Sequence, residues 1–244
     1  MIRKFLKFIQ SFLNFILNKF GLEIKRKFTK FDKRFKHFLW YKKINCIVDV
    51  GANDGEYGEY LRNIHYNDVI ISLEPLSDAF EKLKIKSSKD NQWKVFNYAA
   101  GDIEKAEIIN ISQNSVSSSI LKINKHHLDA APESQIINKE KIKVIRLDQF
   151  LLTKVNEHNK IFLKIDTQGY EDRVLNGVKN MIEKIEGIKV EMSLKSLYID
   201  SLCFEELYKK IINLGFELWD LSPAFIDRKT GRVLQFDAVF FKKN

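Results

Sequence analysis

The chain has little of what marks several protein classes. Three prolines and ten glycines in 244 residues exclude collagen-like, mucin-like and Gly/Pro-rich low-complexity architectures. Two cysteines, Cys46 and Cys203, lie far apart with no C-x-x-C or Cys/His cluster, so neither a disulfide framework nor a structural zinc site is supported. Both are expected as buried thiols. There is no internal repeat, and no apolar run reaches the roughly 20 residues that a spanning helix needs. What is present is 45% hydrophobic and 30% charged, enough for one well-buried core with appendages.

The charge is unevenly placed. Residues 1–45 hold thirteen Lys/Arg against two acids, while the remainder holds 28 against 30. A basic tail joined to a near-neutral body implies that the tail meets an anionic surface. In that tail Ile2, Phe5, Leu6, Phe8, Ile9, Phe12, Leu13, Phe15, Ile16, Leu17 and Phe20 recur near the helical period, opposite Arg3, Lys4, Lys7, Gln10, Ser11, Asn14 and Asn18. The pattern predicts an amphipathic helix ending near Gly21, followed by the cluster Lys25, Arg26 and Lys27. Polar interruptions and the lack of a small-x-small site argue against a signal peptide. Residues 1–24 are therefore expected either to lie in the interface of an anionic leaflet or to pack on the domain or a second subunit. Nucleic acid is not expected, because no recognised binding motif accompanies the arm and an apolar stripe does nothing for phosphate.

From residue 43 onward short apolar runs alternate with amphipathic stretches, the pattern of an α/β sheet covered by helices. The expected division is a basic extension over 1–42 and one domain over 43–244. Strands are expected at 46–50, 69–73, 94–98, 161–165, 188–192, 216–221 and 238–241, and helices at 58–64, 78–86, 170–179 and 204–214. An additional strand pair is expected at 107–111 and 144–146. The polar stretch between them, 112–141, is the expected substrate-facing insertion.

Four motifs carry chemistry. Asp49-Val50-Gly51-Ala52-Asn53-Asp54-Gly55 runs from a buried strand into a glycine turn that opens a helix, where Gly51 and Gly55 allow close backbone approach and Asp49 places a carboxylate at the strand end. G-x-G-x-x-G is absent, and an acid suits the ammonium of an amino acid better than a pyrophosphate. Glu74-Pro75 ends the second strand, where an acid can accept from ribose hydroxyls. Asn97-Tyr98-Ala99-Ala100-Gly101-Asp102 leaves room for a flat adenine, with Asp102 near its amino group. Together these describe a pocket for S-adenosylmethionine rather than NAD. In the fourth, Leu163-Lys164-Ile165-Asp166-Thr167-Gln168-Gly169-Tyr170-Glu171, strand alternation sends Lys164 and Asp166 to one side.

With Ser117-Ser118-Ser119, Leu147-Asp148, Val174-Leu175-x-Gly177 and Val190-Glu191, these motifs make residues 44–241 resemble the FkbM family of S-adenosylmethionine-dependent methyltransferases. The resemblance implies a class I methyltransferase fold: a Rossmann-like, mostly parallel seven-stranded sheet with helices on both faces. It also implies O-methylation, commonly of a sugar hydroxyl, here in a surface glycan or glycolipid precursor. Asp49, Gly51, Asn53, Gly55 and Glu74, with Pro75, Ala100 and Asp102, take the cofactor role. Lys164, Asp166 and Glu191 take the active-site rim, and Gln168 stands where many members have Glu. The basic tail lies outside the resemblance. A displacement at a sulfonium methyl needs alignment and exclusion of water, with Asp166 to accept or orient the hydroxyl proton and Lys164 to hold that carboxylate. His126 or His127 is an alternative base, though adjacent histidines in a polar loop are expected to be solvent-exposed. Magnesium bridging Asp148, Asp166 and Glu191 is a further alternative. Against a non-catalytic membrane adaptor stands the presence of both Asp49 and Glu74, and against a nucleic-acid methyltransferase the lack of an Asn-Pro-Pro-Tyr run. The expected setting is cytoplasmic, at or near the inner membrane leaflet, with a small or lipid-linked sugar as substrate.

Overall fold

The computed structural model describes residues 29–243 and, in the basic tail, Ile9, Phe12, Leu13, Phe15, Ile16, Leu17 and Lys19. Of these tail residues all but Lys19 are in α-helix, and Ile9, Phe12, Leu13, Phe15 and Ile16 are exposed. The end expected near Gly21 and the cluster Lys25, Arg26 and Lys27 lie outside the described residues.

Helix α1, Lys30–Tyr41, starts at a capping box in which Thr29 and Asp32 exchange side-chain and backbone hydrogen bonds. Its Phe35 and Leu39 are buried, with Phe35 edge-on to Phe162 at 5.3 Å between ring centroids. Phe38 packs on Trp219 and Phe241, and Arg34 makes two hydrogen bonds to Asp220. The expected boundary at 42/43 therefore falls within packed structure, since α1 lies on the core of the domain. Composition hid this, because the apolar face of α1 sits within a lysine-rich stretch.

The body alternates strand and helix: β1 Cys46–Val50, α2 Glu56–Asn63, β2 Val69–Leu73, α3 Ser77–Ser87, β3 Trp93–Phe96, β4 Ala99–Gly101, β5 Lys105–Ser112, α4 Lys125–Ala130, β6 Ile136–Arg146 and α5 Leu147–Leu152. Then follow β7 Ile161–Ile165, α6 Glu171–Asn176, β8 Ile185–Ser193, α7 Phe204–Asn213, β9 Phe216–Ile226 and β10 Val233–Lys242. Seven strands form one sheet in the order β3-β2-β1-β7-β8-β10-β9. Neighbours from β3 to β8 are parallel, and β10 is antiparallel to both β8 and β9. This is the expected Rossmann-like class I methyltransferase sheet.

Period-two alternation divides the core between the two faces. Cys46, Val48 and Val50 of β1 join Leu163 and Ile165 of β7 on one face, under α6 and α7. Ile47, Ile70 and Phe162 point to the other, under α1 and α2. Cys46 is buried, whereas Cys203 is only partly so. The strand expected over 94–98 ends at Phe96, because the Asn97 amide turns to donate to the carbonyls of Glu74 and Pro75. The chain then crosses to a second, three-stranded sheet, β4-β6-β5. That sheet was expected only as a short pair, since half-exposed β5 and β6 interleave their apolar residues with lysine, glutamate and asparagine. The helix expected over 170–179 breaks after Asn176, and a 3₁₀ turn occupies Lys179–Lys184.

Strand order reverses between β1 and β7, and the crevice beyond the carboxyl ends of such strands is where open α/β sheets bind ligands. Here it is walled by the insertion between β5 and β6, which contributes α4 and a 3₁₀ turn at Pro132–Ser134.

Candidate active site

A cavity of about 340 Å³ opens at this reversal. Val50, Gly51 and Asn53 of the first turn line it, with Glu74, Pro75 and Leu76 after β2, and Tyr98, Ala99 and Ala100. The insertion adds Asn114 to Ser118, His127 and Glu133, and the far wall holds Asp166, Gln168, Glu191 and Gln235. Among the described residues the lining holds no lysine or arginine and four acids: Glu74, Glu133, Asp166 and Glu191.

The first turn is held from below. Asp49 and Lys164 are register partners on β1 and β7, and their side chains form an ion pair at 3.0 Å, with Asp49 fully buried. Lys164 also donates to the Gly51 carbonyl at 2.8 Å and lies 3.5 Å from Asp166. Ser72 donates to Asp49 and accepts from the Trp93 indole. Burial pulls the Lys164 ammonium down, but Asp49 and Asp166 outweigh it and hold its pKa above the ordinary lysine value.

The expected contact between the Asp49 carboxylate and a ligand is corrected by this arrangement: alternation turns that side chain under the cavity floor, where its partner is Lys164. Gly51 and Gly55 adopt left-handed φ of 77° and 93°. A Cβ on Gly51 would meet the Asp166 carbonyl oxygen, and one on Gly55 would press on Leu83 and Trp93. These glycines thus serve the turn and its packing, and of the two only Gly51 reaches the cavity. Asp102 follows β4 outside the cavity lining, whereas Ala100 and Pro75 are within it.

Glu74 is buried at the end of β2, accepting from the backbone N–H of Asn53 at 2.8 Å and of Leu76 at 2.9 Å. Burial pushes its pKa up to about 7, opposed by those two donors. On the opposite wall Asp166 is the more exposed carboxylate and accepts from the Gln168 amide at 2.7 Å. Gln168 donates at 3.0 Å to Glu191, which also accepts from Gln235 at 2.8 Å. Sequence reasoning missed Gln235 and Tyr198, whose hydroxyl meets the Gln168 amide oxygen at 2.7 Å. The alternation of β10 could have flagged Gln235 as an inward polar residue, but nothing near Tyr198 in sequence marks its partner.

His127 departs from its expected exposure. It is buried against Tyr198, and its Nε2 lies within hydrogen-bond reach of Ser134 and Ser117. Burial lowers its pKa to about 4, which makes it a neutral wall residue and a feeble base. The three acids considered for magnesium do not converge: Asp148 pairs with Arg146, and among the described residues no group of three His, Cys, Asp or Glu side chains could hold a metal ion.

The buried pair generates a stability prediction. Lys164→Met should lower the unfolding free energy by about 3–5 kcal/mol by stranding a buried carboxylate, and Asp49→Asn added to it should return part of that loss. Denaturant melts of the two single variants and the double variant measure the coupling; additivity to within about 0.5 kcal/mol would deny that the pair interacts.

Comparison with known proteins follows from this geometry. No curated protein matches the sequence. Similar solved structures include an rRNA methylase from Streptococcus thermophilus, at 12% identity and a TM-score of 0.47, covering 91% of this chain and 100% of that one. Another is the 1,6-didemethyltoxoflavin-N1-methyltransferase of Burkholderia thailandensis with bound S-adenosylhomocysteine, at 7% identity and a TM-score of 0.48, covering 88% and 78%. A third is the fibrillarin of Aeropyrum pernix with S-adenosyl-L-methionine, at 9% identity and a TM-score of 0.46, covering 80% and 66%. The sequence model of the methyltransferase FkbM domain matches residues 49–218, more than half of the chain, and the protein belongs to that family.

Proposed function

We propose that the cavity binds S-adenosylmethionine and that the protein methylates a sugar hydroxyl in a glycan or glycolipid precursor. The observation that carries this reading is Glu74: a buried carboxylate facing the cavity, each oxygen steadied by a backbone N–H, as a reader of a ribose diol requires. Ala99 and Ala100 leave a smooth wall for a flat base. A lining charged only by acids suits a cationic sulfonium and an uncharged acceptor, and it opposes phosphate. The polar groups of Asn114, Ser115, Ser117 and Ser118 suit a polyhydroxylated acceptor.

When bound, S-adenosylmethionine supplies an electrophilic methyl group. The protein's part is alignment and proton handling. Asp166 lies at the carboxyl end of β7, exposed enough to reach an incoming hydroxyl, and takes its proton as the oxygen becomes the nucleophile. Lys164 lies 3.5 Å from Asp166 and carries the Gly51 carbonyl, so the base and the first turn are positioned by one ammonium. The proton then leaves to water.

The tail suggests where this happens. The described apolar residues Ile9, Phe12, Leu13, Phe15 and Ile16 are helical and exposed, in a segment rich in lysine and arginine. No helix of the described residues is long and apolar enough to cross a membrane. An interfacial helix on an anionic leaflet uses both features, with roughly 1 kcal/mol per nearby basic residue, and would hold the enzyme beside lipid-linked sugars.

Calorimetry should give micromolar affinity, about −8 kcal/mol. Glu74→Ala should weaken it at least about tenfold, the worth of a hydrogen bond to a charged group. Ribose hydroxyls prefer ionised Glu74, so affinity should fall as pH drops through about 7, and Glu74→Gln should flatten that dependence. Equal binding by Glu74→Ala and parent would place the ligand elsewhere.

Asp166→Asn should lower turnover by about 10²–10⁴-fold with cofactor affinity nearly unchanged, measured with tritiated donor against methyl hexopyranosides and lipid-linked sugars. Near-normal turnover would remove Asp166 from the chemistry.

Removing residues 1–24 should release the protein from vesicles containing phosphatidylglycerol while leaving cofactor affinity intact, and added salt should weaken attachment of the intact chain. Equal sedimentation of both forms would refute the membrane role.

A further inference from the structure

Gln168 holds a position that the reaction scheme above does not use. Its backbone is left-handed, with φ 55°, and its carbonyl accepts from the Ser119 hydroxyl at 2.7 Å. The side-chain amide nitrogen meets Asp166 Oδ1 at 2.7 Å and Glu191 Oε2 at 3.0 Å. Two carboxylate oxygens can share one amide atom only if that atom is the NH₂, so the amide orientation follows from the chemistry. Its oxygen then accepts a hydrogen bond from the Tyr198 hydroxyl at 2.7 Å, the nearer of that hydroxyl's two acceptors.

The two acids so bridged have different surroundings. Asp166 has the Lys164 ammonium at 3.5 Å and some exposure to water. Glu191, on β8, faces Asp166 from β7, Glu171 from α6 and Asp237 from β10. The nearby cations are committed elsewhere: Lys164 to Asp49 at 3.0 Å and Lys189, on the same strand, to Asp237 at 2.9 Å. Gln235 is the remaining neighbour, donating to the same oxygen as Gln168. Oε2 of Glu191 therefore accepts two amide hydrogens, and a proton on this carboxyl belongs on Oε1. Glu191 lines the cavity.

We propose that Gln168 is a positioning residue that holds a carboxyl pair in two roles, its amide fixing Asp166 as the base while Glu191, buried among acids and without a cation of its own, serves as a neutral acid that donates a hydrogen bond from Oε1 to an acceptor oxygen. The second half rests on the methyl-transfer reading; the protonation of Glu191 does not. Burial and the three facing acids hold the Glu191 pKa well above the ordinary carboxyl value, against the opposing pull of the Gln168 amide. Environments that separate two carboxyl pKa values also separate acid from base. The acceptor then presents two neighbouring oxygens: one gives its proton to Asp166, and the other receives a hydrogen bond from Glu191.

The test has a binding-independent arm and a kinetic arm, both on the full chain. With ¹³C at glutamate side-chain carboxyls, the resonance lost in Glu191→Gln identifies Glu191, and it should keep the chemical shift of a protonated acid at pH 7. In the kinetic arm, methyl transfer is followed across pH with the best methyl hexopyranoside. Glu191→Gln places an NH₂ where the acid O–H stood, so turnover should stay within about tenfold of parent while the alkaline limb that reports Glu191 disappears. Glu191→Ala should lose at least about a hundredfold. Gln168→Met removes the donor to the base, and the acid limb of the pH profile should move to higher pH; a purely structural role would lower the rate without moving the limb. A Glu191 resonance titrating near pH 4.5 would overturn the proposal. So would a Glu191→Gln loss as deep as that of Asp166→Asn. If the parent transfers methyl to no sugar while a neutral Glu191 is seen by resonance, the acceptor reading fails and the division of protonation stands.

Discussion

The ion pair between Asp49 and Lys164 is the constraint from which the site is built. It spans β1 and β7, the two strands between which the sheet order reverses. The same ammonium touches the Gly51 carbonyl and neighbours Asp166, so the ligand-side turn and the reactive carboxylate share one anchor. A buried pair of this kind is weak evidence for net stability, because desolvation offsets much of its attraction. Its value lies in position: neither the turn after β1 nor the end of β7 can shift without stranding a charge.

The cavity's acids differ because their surroundings differ. Glu74 is steadied by two backbone N–H groups and lifted by burial, Asp166 neighbours the Lys164 ammonium and is the more exposed, and Glu191 sits among other carboxylates with amide donors on one oxygen. Three carboxyl groups in three different settings thus line one cavity. Among the described residues no lysine or arginine lines the cavity, which under the proposed reading favours a sulfonium and an uncharged acceptor over a phosphate-bearing one.

Much of the architecture was legible in sequence, because parallel strands buried on both faces read as short unbroken apolar runs. β1, β2 and β7 fall where those runs lie. β5, β6 and the membership of α1 in the domain were obscured by charge on their solvent sides. At the site, Glu74 and Asp166 were readable from strand ends and Glu191 came with the family resemblance, but direction was not readable. Asp49 points beneath the floor because alternation at β1 places it with Ile47, and its partner lies more than a hundred residues away. The links from Gln168 to Glu191 and from Tyr198 to Gln168 depend likewise on three-dimensional closeness that no local pattern encodes.

The central claim is that the crevice at the β1/β7 reversal is the methyl-donor pocket. Hydrogen–deuterium exchange on the full chain with and without S-adenosylhomocysteine tests it most directly, because it reads where a ligand sits without requiring an acceptor. The account predicts that protection concentrates in residues 50–55, 74–77 and 98–101, the three turns that wall the cavity. Protection confined to other segments, or none at saturating ligand, would contradict it.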